Sequence, residues 1–253
     1  MFGHSLKLFD LFGFSIRIDA SWFVIAALII WSLSSGYFPQ VAPGLSQATY
    51  LGLAVVAMLG LFASLILHEL AHSLVARRDG LGIGGITLFL FGGVAELKDD
   101  PKSPASEFRI ALAGPAMSVG LAAICAMAAQ GAAASLGVLG PVLGYLAMIN
   151  LVLALFNLLP AFPLDGGRVL RAWLWHRTGN MPDATRRASA VGTGIALVLM
   201  GLGVLSALSG GGFGGVWLAL IGFFVLNASR AAYQQIVIQN SLEGRRVVEL
   251  MTP

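Results

Sequence analysis

"TYLGLAVVAMLGLFASLILHELAHSLVARR", residues 49–78, reads as lipid-facing helix along most of its length, then sets His68, Glu69 and His72 inside the same apolar run. A charged side chain at mid-helix costs about 3 kcal/mol on insertion scales, and ionisable residues within a span mark function. What these three mean depends first on whether a bilayer surrounds them.

Composition says that it does. Of 253 residues, 57% are hydrophobic and 11% charged, with mean hydropathy +0.85. Soluble domains carry about 25% charged residues, so this chain could not cover a water-facing surface. Six segments are long enough to span, at about 20 residues each. They run roughly over residues 20–38, 49–76, 108–130, 138–159, 188–208 and 213–227. The first does not read as a cleaved signal peptide, because apolar "LFDLFGFSI" precedes it and no A-x-A pattern follows.

The basic residues support this division. All 15 Lys and Arg lie before span one, around the loop between spans two and three, between spans four and five, or after span six. The loops "PQVAPGLSQ", "GAAASLG" and "SGGG" hold none. The positive-inside rule then predicts a multi-pass protein of the cell membrane with both termini cytoplasmic. The sequence pI of 9.4 follows from that topology and requires no nucleic-acid partner. Cys125, the single cysteine, reads as a small packing residue.

Within this frame "HELAH", residues 68–72, carries chemistry. His68 and His72 lie about 40° apart on a helix and one turn apart along it, with Glu69 in the same sector. H-E-x-x-H is the arrangement in which two imidazoles bind zinc and the glutamate acts as general base. His68 precedes Arg77 by about 13 Å of helix rise, which predicts a site in the cytoplasmic half of the membrane.

A catalytic zinc takes a third protein ligand. His4 near the terminus and His176 in the charged loop "WLWHRTG" are poor candidates. "NLLPAFPLDGGRVLRAW", residues 157–173, is better. Pro160 and Pro163 break span four near its inner end, and Gly166 and Gly167 after Asp165 permit close backbone approach. Asp-Gly also suits a simple membrane-exit turn. Asp165 nonetheless arrives at about the depth expected of His72, making His68, His72 and Asp165 the candidate ligand set.

These stretches, with "AGPAMS" at 113–118 and "NLLPAFPLDGG" at 157–167, resemble the site-2 protease family of intramembrane zinc metalloproteases. The resemblance is specific over spans two to four and looser from residue 1 to about 240. It implies one Zn2+ per chain on His68, His72 and Asp165, with Glu69 activating water. It also implies that Asn157 helps hold substrate or the developing oxyanion. Many members carry asparagine where this chain has Ser118. "GIGGITLFLFGGVAEL", residues 82–97, resembles the family's membrane-associated β-hairpin, whose edge could pair with unwound substrate.

The expected fold is therefore an all-α integral membrane protein of six transmembrane helices, with a short membrane-associated β-hairpin between spans two and three. Residues 1–240 form the metalloprotease core and 241–253 a cytoplasmic tail. Its "EGRRVVELMTP" resembles the opening of a cystathionine-beta-synthase (CBS) domain, which implies a regulatory ligand. The expected function is zinc-dependent endopeptidase action on a single-span membrane protein within the lipid bilayer. A zinc-binding transport or binding protein could use the same ligands, but it would not need glutamate beside the first histidine. No inverted halves are evident in the spans either. A soluble zincin conflicts with the charge placement.

Overall fold

The computed structural model describes residues 5–89, 92–97, 100–131 and 137–242. The CBS-like segment, residues 243–253, and His4 lie outside the described residues. Six helices are long and apolar enough to cross a membrane: Ser21–Val41, Gln47–Arg78, Pro104–Gly131, Gly137–Asn157, Met181–Gly211 and Gly214–Ala232. These are the six expected spans, with ends displaced by a few residues. The chain divides into two compact units, residues 1–102 with 112–156, and 103–111 with 157–253.

In the first unit, β1 (Ser5–Leu11) and β2 (Phe14–Asp19) form an antiparallel hairpin. Its two loop residues, Phe12 and Gly13, both have positive φ (50° and 84°), the sign a type I′ turn requires. β3 (Ile83–Phe89) runs parallel to β2 and antiparallel to β4 (Gly92–Leu97), in the order β1-β2-β3-β4. The expected hairpin is thus present as β3–β4, but as half of a sheet whose other half precedes the first span.

The first span joins α1 (Ser21–Ser32), a π-turn and α2 (Phe38–Val41). The long α3 (Gln47–Arg78) follows, then α4 (Pro104–Gly131), whose residues from 112 onward belong to this unit, and α5 (Gly140–Asn157). Two apolar cores lie along α3. Toward its C-terminal half, Ile66 and Leu70 pack on Phe14, Ile16, Ile18, Ile86 and Leu88 of the sheet. Nearer its start, Tyr50, Leu53, Ala54 and Ala57 pack with Leu33, Phe38, Val142 and Tyr145. Arg77 closes the sheet end: its Nη1 donates to the Phe12 carbonyl at 2.7 Å, and its guanidinium lies 4.6 Å from the Phe14 ring centroid. The strands that cover the middle of α3 are therefore tied to its last turn.

In the second unit, Ser103 and residues 104–111 of α4 accompany α6 (Asp165–Thr178), α7 (Met181–Ser206) and α8 (Gly212–Leu242). The sequence "WLWHRTG", expected as a charged loop, is instead the C-terminal part of α6, closed by Gly179 in the left-handed conformation. Gly is the residue that reaches that conformation without a Cβ clash. Asn180 starts α7 by accepting from the Asp183 amide at 3.0 Å. Contact between α7 and α8 is backbone-close: a Cβ on Gly203 would strike the backbone of Ala219, and one on Gly215 that of Ala207. In lipid, where apolar burial drives helices together only weakly, such small-residue contacts carry the packing.

Candidate metal centre

His68 and His72 occupy successive turns of α3 and are buried, 3% and 6% exposed. Their Nε2 atoms face each other at 3.2 Å. Two imidazole nitrogens so close, away from water, repel unless a proton or a cation lies between their lone pairs. No side chain of α4 intrudes on the two nitrogens there, because the helix presents Gly114. A Cβ at that position would come within 2.5 Å of His68 Nε2 and would press still closer on His72 Nε2. One turn further along α4, Ser118 Oγ lies 2.9 Å from the other ring nitrogen of His68, Nδ1. Gly114 and Ser118 are both within "AGPAMS". Nothing in the sequence shows which nitrogen each faces, since that depends on how α4 is rotated against α3.

Glu69 is half-buried beside the pair. The backbone of β4 lies on its side chain: a Cβ at Gly93 would sit 2.5 Å from Glu69 Cγ and 2.9 Å from its Cδ. β4 is an edge strand, paired only with β3 among the described residues. An edge strand and the Glu69 carboxylate are therefore adjacent. No sequence spacing linked positions 69 and 93.

Asp165 is the first residue of α6 and is 8% exposed. A helix N-terminus carries partial positive charge, so a carboxylate is favoured there. Gly166 and Gly167 let this first turn close on the chain that leads to it. A Cβ on Gly167 would lie 2.7 Å from the Ala161 carbonyl carbon, and one on Gly166 would overlap the Leu158 carbonyl. Asn157, half-buried, ends α5. His176 is exposed in the last turn of α6 and takes no part in the centre.

An apolar helix carrying two facing imidazoles and a carboxylate, with a glycine where a side chain would intrude on the two nitrogens, defines a metal-dependent membrane protein. Comparison with known proteins makes the class specific. The family model for Peptidase family M50 matches residues 56–132 and 124–201. Rip3 of Mycobacterium tuberculosis is 43% identical over 245 residues, 95% of this chain and 61% of that protein. MJ0392 of Methanocaldococcus jannaschii is 31% identical over 251 residues, 99% of this chain and 67% of that protein. Both have zinc metalloprotease in their names. Among solved structures, the Site-2 Protease from Methanocaldococcus jannaschii superposes with TM-score 0.62 at 32% identity, covering 91% of this chain and 95% of that one.

The chain belongs to peptidase family M50, the site-2 type of zinc metalloprotease, and is a multi-pass membrane protein. It spans about three-fifths of the length of Rip3. The cofactor that membership carries is zinc, and the imidazole-rich donor set suits that borderline-soft ion.

Proposed function

We propose that this chain hydrolyses a peptide bond within or near the transmembrane segment of a single-span membrane protein. His68, His72 and Asp165 would hold the zinc; all three are buried and offer one ligand atom each. When bound, zinc supplies a Lewis acid that polarises the scissile carbonyl and acidifies water. Glu69 takes a proton from water as its oxygen adds to the carbonyl carbon. It returns that proton to the amide nitrogen as the C–N bond breaks. Asn157 is assigned to substrate or to the negative charge developing on the carbonyl oxygen.

The observation that carries the reading is the pair of buried imidazoles turned Nε2 to Nε2 over Gly114, with Glu69 beside them. A helical substrate hides its carbonyls in backbone hydrogen bonds, so it must unwind before cleavage. The open edge of β4 offers an unwound segment backbone partners next to Glu69. Substrates weak in helix propensity near the scissile bond are favoured accordingly. The basic residues at the ends of the spans support an orientation with both termini in the cytoplasm of the cell and the metal reached from that side.

The test is cleavage of a single-span substrate co-reconstituted with the purified chain, wild type against Glu69→Gln. A variant that binds zinc as the wild type does but cleaves about 100-fold slower or worse supports the assignment. Equal rates would refute it.

A further inference from the structure

We propose that Ser118 is a positioning residue that decides which nitrogen of His68 faces the metal. This rests on the zinc reading above and concerns a side chain that acts through His68.

Imidazole has two nitrogens, and only one lacking a proton can ligate. The tautomer is set by what the other nitrogen meets. For His68 the two sides differ. Nε2 faces His72 Nε2 at 3.2 Å and the space left open by Gly114. Nδ1 meets the Ser118 hydroxyl at 2.9 Å. Ser118 is fully buried and His68 nearly so, so bulk solvent does not reach the pair to replace that partner. With the Nε2 lone pair turned to the ion, Nδ1 carries the hydrogen and donates it to Ser118 Oγ.

Gly114 and Ser118 are four residues apart on α4, on one face of the helix. A single turn of α4 thus makes room on one side of the ring and holds the other. Burial beside the site does not by itself create such a bond. Ser73, next to His72 in the chain, is equally buried, and its hydroxyl has no hydrogen-bond partner among the described residues. Without an acceptor at 118, the ligating tautomer leaves a buried N–H unsatisfied, which is costly. The ring then favours other orientations, and zinc must overcome that preference to bind.

Threonine and valine separate the hydroxyl from the packing, because they share a shape and differ in the acceptor. Ser118→Thr and Ser118→Val are compared with wild type in the full chain, purified in detergent. Zinc affinity is read by competition with a chromogenic chelator, and zinc-free thermal unfolding serves as the packing control. The expected result is zinc affinity about 10- to 100-fold weaker in Ser118→Val than in Ser118→Thr, with the two zinc-free forms unfolding together. Equal affinities in the two variants, beside a wild type that binds zinc, would overturn the Ser118 assignment alone. A wild type that takes up no zinc would overturn the proposed function with it.

Discussion

Arg171 of α6 reaches Glu107 at the start of α4, donating from both Nε (2.7 Å) and Nη2 to the single oxygen Oε1. Glu107 is fully buried, and its Oε2 has no hydrogen-bond partner among the described residues. Arg171 lies six positions after Asp165 along α6, so the pair anchors the helix whose first residue is the proposed third ligand. Breaking a buried pair from one side strands a charge at a cost of about 3–5 kcal/mol, whereas removing both partners in favour of apolar groups is often neutral. Arg171→Met is expected to lose stability on that scale in denaturant unfolding in micelles, and Glu107→Leu/Arg171→Met to regain most of it. A double variant as unstable as the single one would mean that the pair is not what Arg171 contributes.

Gly114 gives the sharpest test of the metal centre, because one methyl group would fill the space that faces both Nε2 atoms. Gly114→Ala is expected to remain helical by circular dichroism, alanine being the better helix former, and to lose zinc and cleavage together. Metal analysis after purification decides it. A fully zinc-loaded Gly114→Ala would place the ion elsewhere.

Gly93 tests the edge strand separately from the metal. A β-branched side chain there would collide with Glu69 Cγ and with Leu88. Gly93→Val should therefore leave zinc content intact and slow cleavage by at least about tenfold, the scale on which a displaced general base matters. Unchanged turnover would show that β4 need not approach Glu69.

The spans and the H-E-x-x-H helix were legible because each is a local property: a run of apolar residues, a spacing of four. The β1–β2 hairpin was not. Its first strand exposes Leu6, Leu8 and Phe9, so it shows no polar face against which an alternation could be read. Its turn is Phe-Gly with Phe12 at φ 50°, not one of the residue pairs that mark a tight turn. Helix α6 was hidden by its opening "DGG", which reads as a breaker until the glycines are seen to let the first turn pack against residues 158–162. The bonds from Ser118 to His68 and from Arg171 to Glu107 bridge 50 and 64 positions. Helix packing sets them, and periodicity carries no trace of them.

Asn150 of α5 donates to Ser64 Oγ of α3 at 3.0 Å and to the Leu146 carbonyl at 2.8 Å, one turn along α3 from His68. A buried polar bridge between spans looks like a major tie, but its energetics argue otherwise. Asn150 Oδ1 is buried without a hydrogen-bond partner among the described residues, an unfavourable contribution that offsets the bonds made by the amide nitrogen. Interhelical hydrogen bonds in membranes also average only about 0.6 kcal/mol in double-mutant cycles, with a maximum of about 1.7. A cycle of Asn150→Leu and Ser64→Ala should return a coupling within that range. A Cβ at Gly60 would lie 2.7 Å from Leu146 Cδ1, the end of a flexible side chain that can turn aside, so Gly60→Val should cost only about 1–3 kcal/mol, the scale of ordinary overpacking. Coupling above about 3 kcal/mol in the cycle would instead make the amide bridge a major tie between these two helices.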